Sequence, residues 1–274
     1  MPTAFRAMVC AAALLLSLVC ARAETVAFDA ADLRLTGLLE RPAGAGPMPA
    51  VVALHGCGGL FGRDGALGAR ERDWADRLVG AGYAVLFPDS FTGRGYRQVC
   101  TLEHRPVTPE VRSGDARAAL HWLARQPWAD PARLLLIGWS HGGQTVLWTL
   151  RPGFLDGGPR PATAIAFYPA CRQIARLEGW RPSVALKILS GALDDWTSPE
   201  PCRDLAAREG FPFIAYPGAY HGFDMPDQPL RIRRGLARVP GGEAHIGTHA
   251  EAREKAIAEV MGTLAAAAGA GSAR

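Results

Sequence analysis

The sequence predicts an α/β protein in which helices cover both faces of a central, mostly parallel β-sheet. Short apolar runs that favour strands alternate along the chain with stretches of helical spacing, which is typical of parallel sheets. Within these runs successive residues are apolar, as expected for strands that are buried on both faces. The length of 274 residues suits one large domain of this class.

The predicted elements begin with an antiparallel hairpin and continue as strand–helix units. The hairpin covers 25–30 and 33–40, and the strands of the following units cover 50–54, 83–87, 133–139, 162–168, 184–190 and 211–217. Helices are predicted at 72–83, 109–126, 141–150 and 249–265. The helix at 109–126 is marked by Pro109 in its first turn and by Pro127 just beyond its end.

Two irregular segments, 90–108 and 222–245, are rich in Gly, Pro and Arg and follow predicted strand ends. Pockets of α/β proteins form at such positions, so we expect both segments to shape a site. No internal repeat or linker divides the chain, which predicts a single domain over 24–268. The low-complexity residues 269–274 are predicted to be a frayed tail.

The first 23 residues have the pattern of a cleaved secretory signal peptide. Arg6 precedes a short apolar run, and small residues at Ala21 and Ala23 form a cleavage site, which predicts export to the periplasm or the medium. The run is too short for a membrane span, so no stable membrane insertion is expected after cleavage. Lipidation of Cys20 is the alternative, but Val19 stands where a small residue is preferred.

The four cysteines that follow this segment form an even set: Cys57, Cys100, Cys171 and Cys202. An oxidising compartment favours two disulfides, for which three pairings are possible, whereas buried free thiols are the alternative. We predict Cys57–Cys100 and Cys171–Cys202, because each pair would join loops at the same edge of the sheet.

The motif Gly138-Trp139-Ser140-His141-Gly142 lies between a predicted strand and a predicted helix. This strand–turn–helix context is that of the nucleophile elbow of α/β-hydrolases, in which a sharp turn presents the serine at a helix N-terminus. Helix-terminal amides stabilise a developing anion at that position. The motif therefore predicts a serine hydrolase with Ser140 as its nucleophile.

A serine needs an adjacent base, and in this fold the order along the chain is serine, acid, histidine. His221 directly follows a predicted strand and is the expected base, while its alternative role is that of a structural loop histidine. Asp194 and Asp195 follow the preceding strand, and one of them should orient the imidazole. The residues alone leave both aspartates open as the acid.

The run His55-Gly56-Cys57-Gly58-Gly59 after the strand 50–54 predicts an oxyanion loop. The backbone amides of Cys57 and His141 are its expected donors, which leaves His55 a structural role. Trp139 and Trp196 are expected to flank the site, and the other tryptophans are expected mainly in the core.

No cofactor or metal is implied by the sequence. His245 and His249 are four residues apart, but no acidic ligand is suitably spaced for zinc. The formal charge of +4, or +2 without Arg6 and Arg22, contains no block of like charges, so nucleic acid is not an expected partner. A small-molecule ester or lactone is the expected substrate.

Five motifs together, HGCGG, PDSFTGRG, GWSHGG, GALDDWTSP and PGAYHGF, resemble the dienelactone hydrolase family over about residues 32–265. The resemblance implies an eight-stranded α/β-hydrolase sheet, no cofactor, activity on lactones and other esters, and a G-x-x-D acid loop that selects Asp194. The best-known members have cysteine at the elbow, whereas Ser140 stands here, and Gly56-Cys57 replaces an acidic residue of their oxyanion loop. The resemblance also suggests Arg94 as the residue that binds a substrate carboxylate.

Two other functions are compatible with these motifs. A peptidase or an acyltransferase can use the same fold and triad, since the sequence does not specify the acyl acceptor. A catalytically silent, secreted binding protein is a third hypothesis, because a fold alone does not prove activity. The presence of serine, acid, histidine and oxyanion loop favours the serine esterase or lactonase.

Overall fold

The computed structural model describes residues 22–31, 33–44 and 46–272. The predicted signal segment up to residue 21 lies outside the described residues. The strands are β1 (Arg22–Asp29), β2 (Arg34–Arg41), β3 (Met48–Leu54), β4 (Ala84–Pro88), β5 (Ala129–Trp139), β6 (Thr163–Phe167), β7 (Ala185–Gly191), β8 (Phe213–Tyr216), β9 (Arg231–Arg234) and β10 (Glu243–Ile246). The helices are α1 (Ala69–Gly80), α2 (Pro109–Ala124), α3 (His141–Thr149), α4 (Glu200–Glu209) and α5 (Ala250–Ser272).

Eight strands form one sheet in the order β1-β2-β4-β3-β5-β6-β7-β8. The strands from β3 to β8 are parallel to one another, whereas β2 is antiparallel to both β1 and β4. The predicted α/β class, its mostly parallel eight-stranded sheet and the antiparallel hairpin at its start are therefore confirmed. A separate two-stranded sheet pairs β9 with β10.

Residues of one strand alternate between two apolar cores, one on each face of the sheet. In β5, Leu134 and Leu136 belong to the core that includes α2, α3 and α4, whereas Leu135, Ile137 and Trp139 belong to the core that includes α1 and α5. This period of two explains why the strands are continuously apolar in sequence, because both faces are covered.

Three elements differ from the sequence predictions. The helix α4 was not predicted, and the hairpin β9–β10 occupies a segment that was expected to be irregular. The last helix extends to Ser272, so it includes residues 269–272 of the predicted tail. The four alanines at 265–268 have the highest helix propensity of all residues and favour continuation of the helix to this end.

Two disulfides join Cys57 to Cys100 and Cys171 to Cys202, which is the pairing expected from the sequence. The second disulfide, Cys171–Cys202, ties the segment after β6 to α4. In the described part of the chain no helix is both long and apolar enough to cross a membrane.

Candidate active site

Ser140 occupies the sharp turn between β5 and α3, with φ 54° and ψ −112°. A positive φ is strained for a residue with a Cβ and is typical of a nucleophile elbow. Close approach of the backbone explains the flanking glycines. A Cβ at Gly138 would lie 2.4 Å from the carbonyl oxygen of Gly142, and one at Gly142 would lie 2.0 Å from the oxygen of Leu54.

Ser140, His221 and Asp194 are brought together from loops that follow three different strands. The Oγ of Ser140 lies 3.0 Å from Nε2 of His221, and Nδ1 of His221 lies 2.8 Å from Oδ2 of Asp194. All three side chains are buried, and only Ser140 is as much as 7% exposed. This is the hydrogen-bonded order that a serine–histidine–acid triad requires.

The two adjacent aspartates have different partners. Asp194 is buried, and its Oδ1 accepts hydrogen bonds from the backbone amides of Trp196 and Thr197. The carboxylate of Asp195 instead contacts His245, with 2.7 Å between Oδ2 and Nδ1, and its side chain is 43% exposed. The geometry thus favours Asp194 as the partner of the site histidine.

The imidazole of His221 is held between two aromatic rings, those of Trp196 at 4.6 Å and Tyr168 at 4.5 Å between ring centres. The hydroxyl of Tyr168 donates to buried Asp224 at 2.6 Å, and burial, followed by the charge of Asp224, raises the pKa of this phenol well above its usual value. Thr197 Oγ1 lies 3.0 Å from Asp194 Oδ2. These contacts restrict the imidazole to one orientation.

Three residues around the site are not predicted from the sequence: Tyr168, Thr197 and Asp224. Tyr168 directly follows β6, in line with the positions that carry the other site residues, and this was the signal that could have identified it. Its φ of 35° is also unusual for a tyrosine, but this becomes visible only in the structure.

The loop after β3 lies directly beside the elbow. A Cβ at Gly56 would lie 3.7 Å from Cβ of Ser140, and Cys57, Ser140 and His141 line one cavity together. The loop is fixed by the Cys57–Cys100 disulfide and by a 2.8 Å hydrogen bond from the amide of Val99 to the carbonyl of Cys57. Its position is compatible with the predicted oxyanion role of the Cys57 and His141 amides.

A buried, uncharged histidine pair supports this loop. The Nδ1–H of His55 donates to the carbonyl of Gly56 at 2.8 Å, and His141 Nδ1 accepts from Arg112 at the same distance. Burial, and next the charge of Arg112, lowers the pKa of both imidazoles well below the usual value. Burial likewise lowers the pKa of Arg112 to about 10.

Two predicted substrate contacts are corrected by the structure. Trp139 is fully buried, and its ring stacks on Phe167 in the core, because strand alternation directs it away from the site. Arg94 forms a bidentate ion pair with buried Asp115 of α2, with N–O distances of 2.8 and 2.9 Å. It does not line either cavity beside Ser140. In contrast, Trp196 lines both cavities, as expected.

The histidines considered for zinc have other contacts. His245 pairs with Asp195, and His249 Nδ1 accepts from the amide of Ala252 at 3.3 Å. Throughout the described residues no group of three or more His, Cys, Asp or Glu side chains is arranged to hold a metal.

Two cavities meet at Ser140. The first, of about 200 Å³, is lined by Ser140, His221 and several apolar side chains, and we call it the small pocket. The second, of about 760 Å³, is lined by Ser140 and His141 but not by His221, and we call it the large chamber. A substrate bound at Ser140 could therefore extend into both cavities.

The sequence profile of the dienelactone hydrolase family matches residues 35–268. The chain belongs to the dienelactone hydrolase family. Membership classes it as a hydrolase that acts on ester bonds, with the α/β sheet described above. No curated protein sequence matches the chain significantly.

Solved structures of other hydrolases share the fold at low sequence identity. A putative dienelactone hydrolase from Klebsiella pneumoniae is 18% identical, with a TM-score of 0.66 and coverage of 89% of this chain and 98% of that one. The dienelactone hydrolase-like promiscuous phosphotriesterase P91 from metagenomic libraries is 20% identical, with a TM-score of 0.64 and coverage of 89% and 98%. The esterase Est2 of Thermogutta terrifontis is 20% identical, with a TM-score of 0.56 and coverage of 76% and 87%.

Proposed function

We propose that this dienelactone hydrolase family member is an exported serine hydrolase that cleaves carboxylic esters or lactones through a covalent acyl-enzyme. The observation that carries the proposal is the continuous hydrogen-bonded chain from Ser140 through His221 to Asp194. The small pocket and the large chamber supply space for the two halves of an ester on either side of the serine.

In the first step, Ser140 Oγ attacks the ester carbonyl while His221 Nε2 accepts the hydroxyl proton. Asp194 stabilises the imidazolium that forms and keeps Nδ1 protonated beforehand, so that Nε2 is free to act as the base. The backbone amides of Cys57 and His141 would donate to the negative oxygen of the tetrahedral intermediate, a contribution worth about 2.7–4 kcal/mol per donor in comparable sites.

His221 then returns the proton to the leaving alcohol oxygen, which breaks the ester bond and leaves an acyl group on Ser140. Water attacks the acyl carbonyl in the second half of the reaction, with the same histidine as base and then as acid. The products are a carboxylic acid and an alcohol, or a hydroxy acid when the substrate is a lactone.

Export is the second part of the proposal. The signal-like N-terminal sequence suggests it, and two disulfides support it, because disulfides persist mainly in oxidising compartments.

The direct test is the Ser140→Ala variant assayed with p-nitrophenyl acetate. We expect a folded protein whose turnover falls by at least about 10³-fold, to the level that an oxyanion hole without a nucleophile can sustain. Ser183→Ala is the matched control, because Ser183 precedes β7 at the opposite edge of the sheet and its hydroxyl has no hydrogen-bond partner among the described residues. Near wild-type turnover of Ser140→Ala would refute the proposal.

A further inference from the structure

The large chamber beside Ser140 carries an excess of positive charge. Its wall includes four arginines: Arg105, Arg172, Arg176 and Arg238. Among the described residues, no carboxylate lies within ion-pair distance of any of these four guanidinium groups. The acidic side chain in the same wall is Asp195, which His245 already engages.

Two of these arginines lie close to each other and to His141, the residue that follows the reacting serine. Arg105 and Arg238 also line a smaller cavity of about 180 Å³ together with His141, the residue that follows Ser140. Among the described residues, each of the two forms a long hydrogen bond to a backbone carbonyl, 3.4 Å from Arg105 to Cys100 and 3.3 Å from Arg238 to Glu103. Buried Nε of Arg105 has no partner among the described residues.

The two guanidinium groups repel each other. Burial, and next the charge of Arg238, lowers the pKa of Arg105 to about 10. Guanidinium groups bind carboxylates and phosphates through paired, charge-assisted hydrogen bonds. An anion bound between these side chains would remove the repulsion and satisfy the free donor.

The small pocket has a different character. Leu60, Phe61, Met225 and Ile246 contribute apolar surface to it. Its two arginines are engaged, since Arg70 pairs with Glu71 and Arg233 lies over the Trp196 ring at 5.2 Å. The small pocket therefore suits a short apolar group, whereas the large chamber suits a bulky anion.

The position of His221 assigns the two halves of the ester to the two cavities. The leaving oxygen must receive its proton from His221 Nε2, and this histidine lines the small pocket but not the large chamber. The alcohol half therefore lies in the small pocket. The acyl half then extends into the large chamber, past the His141 end of the elbow.

We propose that the substrate is an ester of a small apolar alcohol with a multiply anionic acid, whose remaining anionic groups bind Arg105 and Arg238 and extend towards Arg172 and Arg176. The inference rests on the proposed function, since it names the substrate class of the same site. Hydrolysis with one water releases the alcohol and gives the acid one further negative charge.

The kinetic test compares three esters by titration of the released acid. Monoethyl tricarballylate places two negative charges on the acyl half, ethyl hexanoate is neutral, and O-acetylmalate places two negative charges on the leaving alcohol. We expect kcat/KM for monoethyl tricarballylate to exceed that for each of the other two by at least about tenfold, because charge-assisted hydrogen bonds form with that ester alone.

Substitution of Arg105 and Arg238 should remove this preference. In the Arg105→Gln/Arg238→Gln double variant, we expect the ratio of kcat/KM for monoethyl tricarballylate to that for ethyl hexanoate to fall by at least about tenfold. The variant should fold, because no buried ion pair is broken. Arg234→Gln is the matched control, because Arg234 is exposed and pairs with Glu243 away from both cavities, and it should leave the ratio unchanged.

A binding measurement separates this inference from the proposed function. Calorimetry with the full-length Ser140→Ala variant should show saturable binding of tricarballylate that weakens with added salt and with the Arg105→Gln/Arg238→Gln changes. Cleavage of ethyl hexanoate without a preference for monoethyl tricarballylate, or a preference for O-acetylmalate, would overturn the inference and leave the proposed function intact. Arginine-dependent binding without cleavage of any ester would support the anion site and refute the proposed function.

Discussion

Replacement of each of the two adjacent aspartates by asparagine tests the proposed triad at its third member. Asp194→Asn changes one oxygen for a nitrogen while the two amide hydrogen bonds to Oδ1 can be kept, so the loop should fold. The new NH₂ group would face Nδ1 of His221 at 2.8 Å, where two donors cannot bond. The histidine must then carry its proton on Nε2, the tautomer that cannot accept the proton of Ser140.

The expected loss is large for this position and small for its neighbour. The same change in a comparable triad lowers kcat by about 10⁴-fold, which corresponds to about 5.4 kcal/mol of transition-state stabilisation. Asp195→Asn alters a half-exposed pair with His245, and such pairs contribute about 0–1 kcal/mol, so we expect less than about a fivefold change in turnover.

The assay is turnover of p-nitrophenyl acetate by purified variants whose melting temperatures show that they are folded. Asp195→Asn is the matched control, because it makes the same chemical change one residue away. Equal, mild effects of both variants would refute the role assigned to Asp194, and a severe loss only in Asp195→Asn would transfer that role to Asp195.

Three further predictions concern stability and the oxyanion loop. Arg94→Ala leaves buried Asp115 without this partner, so the free energy of unfolding should fall by about 3–5 kcal/mol in urea titrations. Selectivity between anionic and neutral esters should stay unchanged, and altered selectivity would mean that Arg94 contacts the substrate. Serine in place of both Cys57 and Cys100 opens a loop with a sequence separation of 43, so the free energy of unfolding should fall by about 4 kcal/mol and kcat should fall about tenfold. Loss of the second disulfide, with a separation of 31, should lower the free energy of unfolding by a similar amount without that fall in kcat. His55 has a lowered pKa in the fold because it is buried, so the unfolded chain binds its proton first and stability is lost as the pH falls below about 6.5. His55→Asn should reduce that loss by about 1 kcal/mol between pH 6.5 and 5.5, and an unchanged slope would contradict the burial argument.

The parallel sheet could be predicted because its strands carry an unambiguous local signal. Continuous apolar runs such as 50–54 and 133–139 are buried on both faces, and each is followed by a helix. The hairpin β9–β10 has no such signal, because β9 has the sequence RIRR and its pairing depends on contacts rather than on apolar periodicity. The short, polar helix α4 was missed for the same reason.

The placement of site residues could be predicted where the chain order and the strand ends determine it. Ser140, Asp194 and His221 all follow ends of parallel strands, which meet at one edge of the sheet. Arg94 was misplaced because its partner, Asp115, is 21 residues away on a helix, and nothing local in the sequence indicates that pairing. Trp139 was misplaced although strand alternation, counted from Leu135, would have put it in the core.

The most direct test of the central claim is covalent labelling of the nucleophile. A fluorophosphonate probe reacts with a serine only when a neighbouring base activates it, and the adduct can be located by mass spectrometry of the digested protein. We predict one probe per folded chain, attached to the peptide that contains Ser140, and no labelling of Ser140→Ala. Folded protein that remains unlabelled at Ser140, or that is labelled at another serine, would contradict the assignment of Ser140 as the nucleophile.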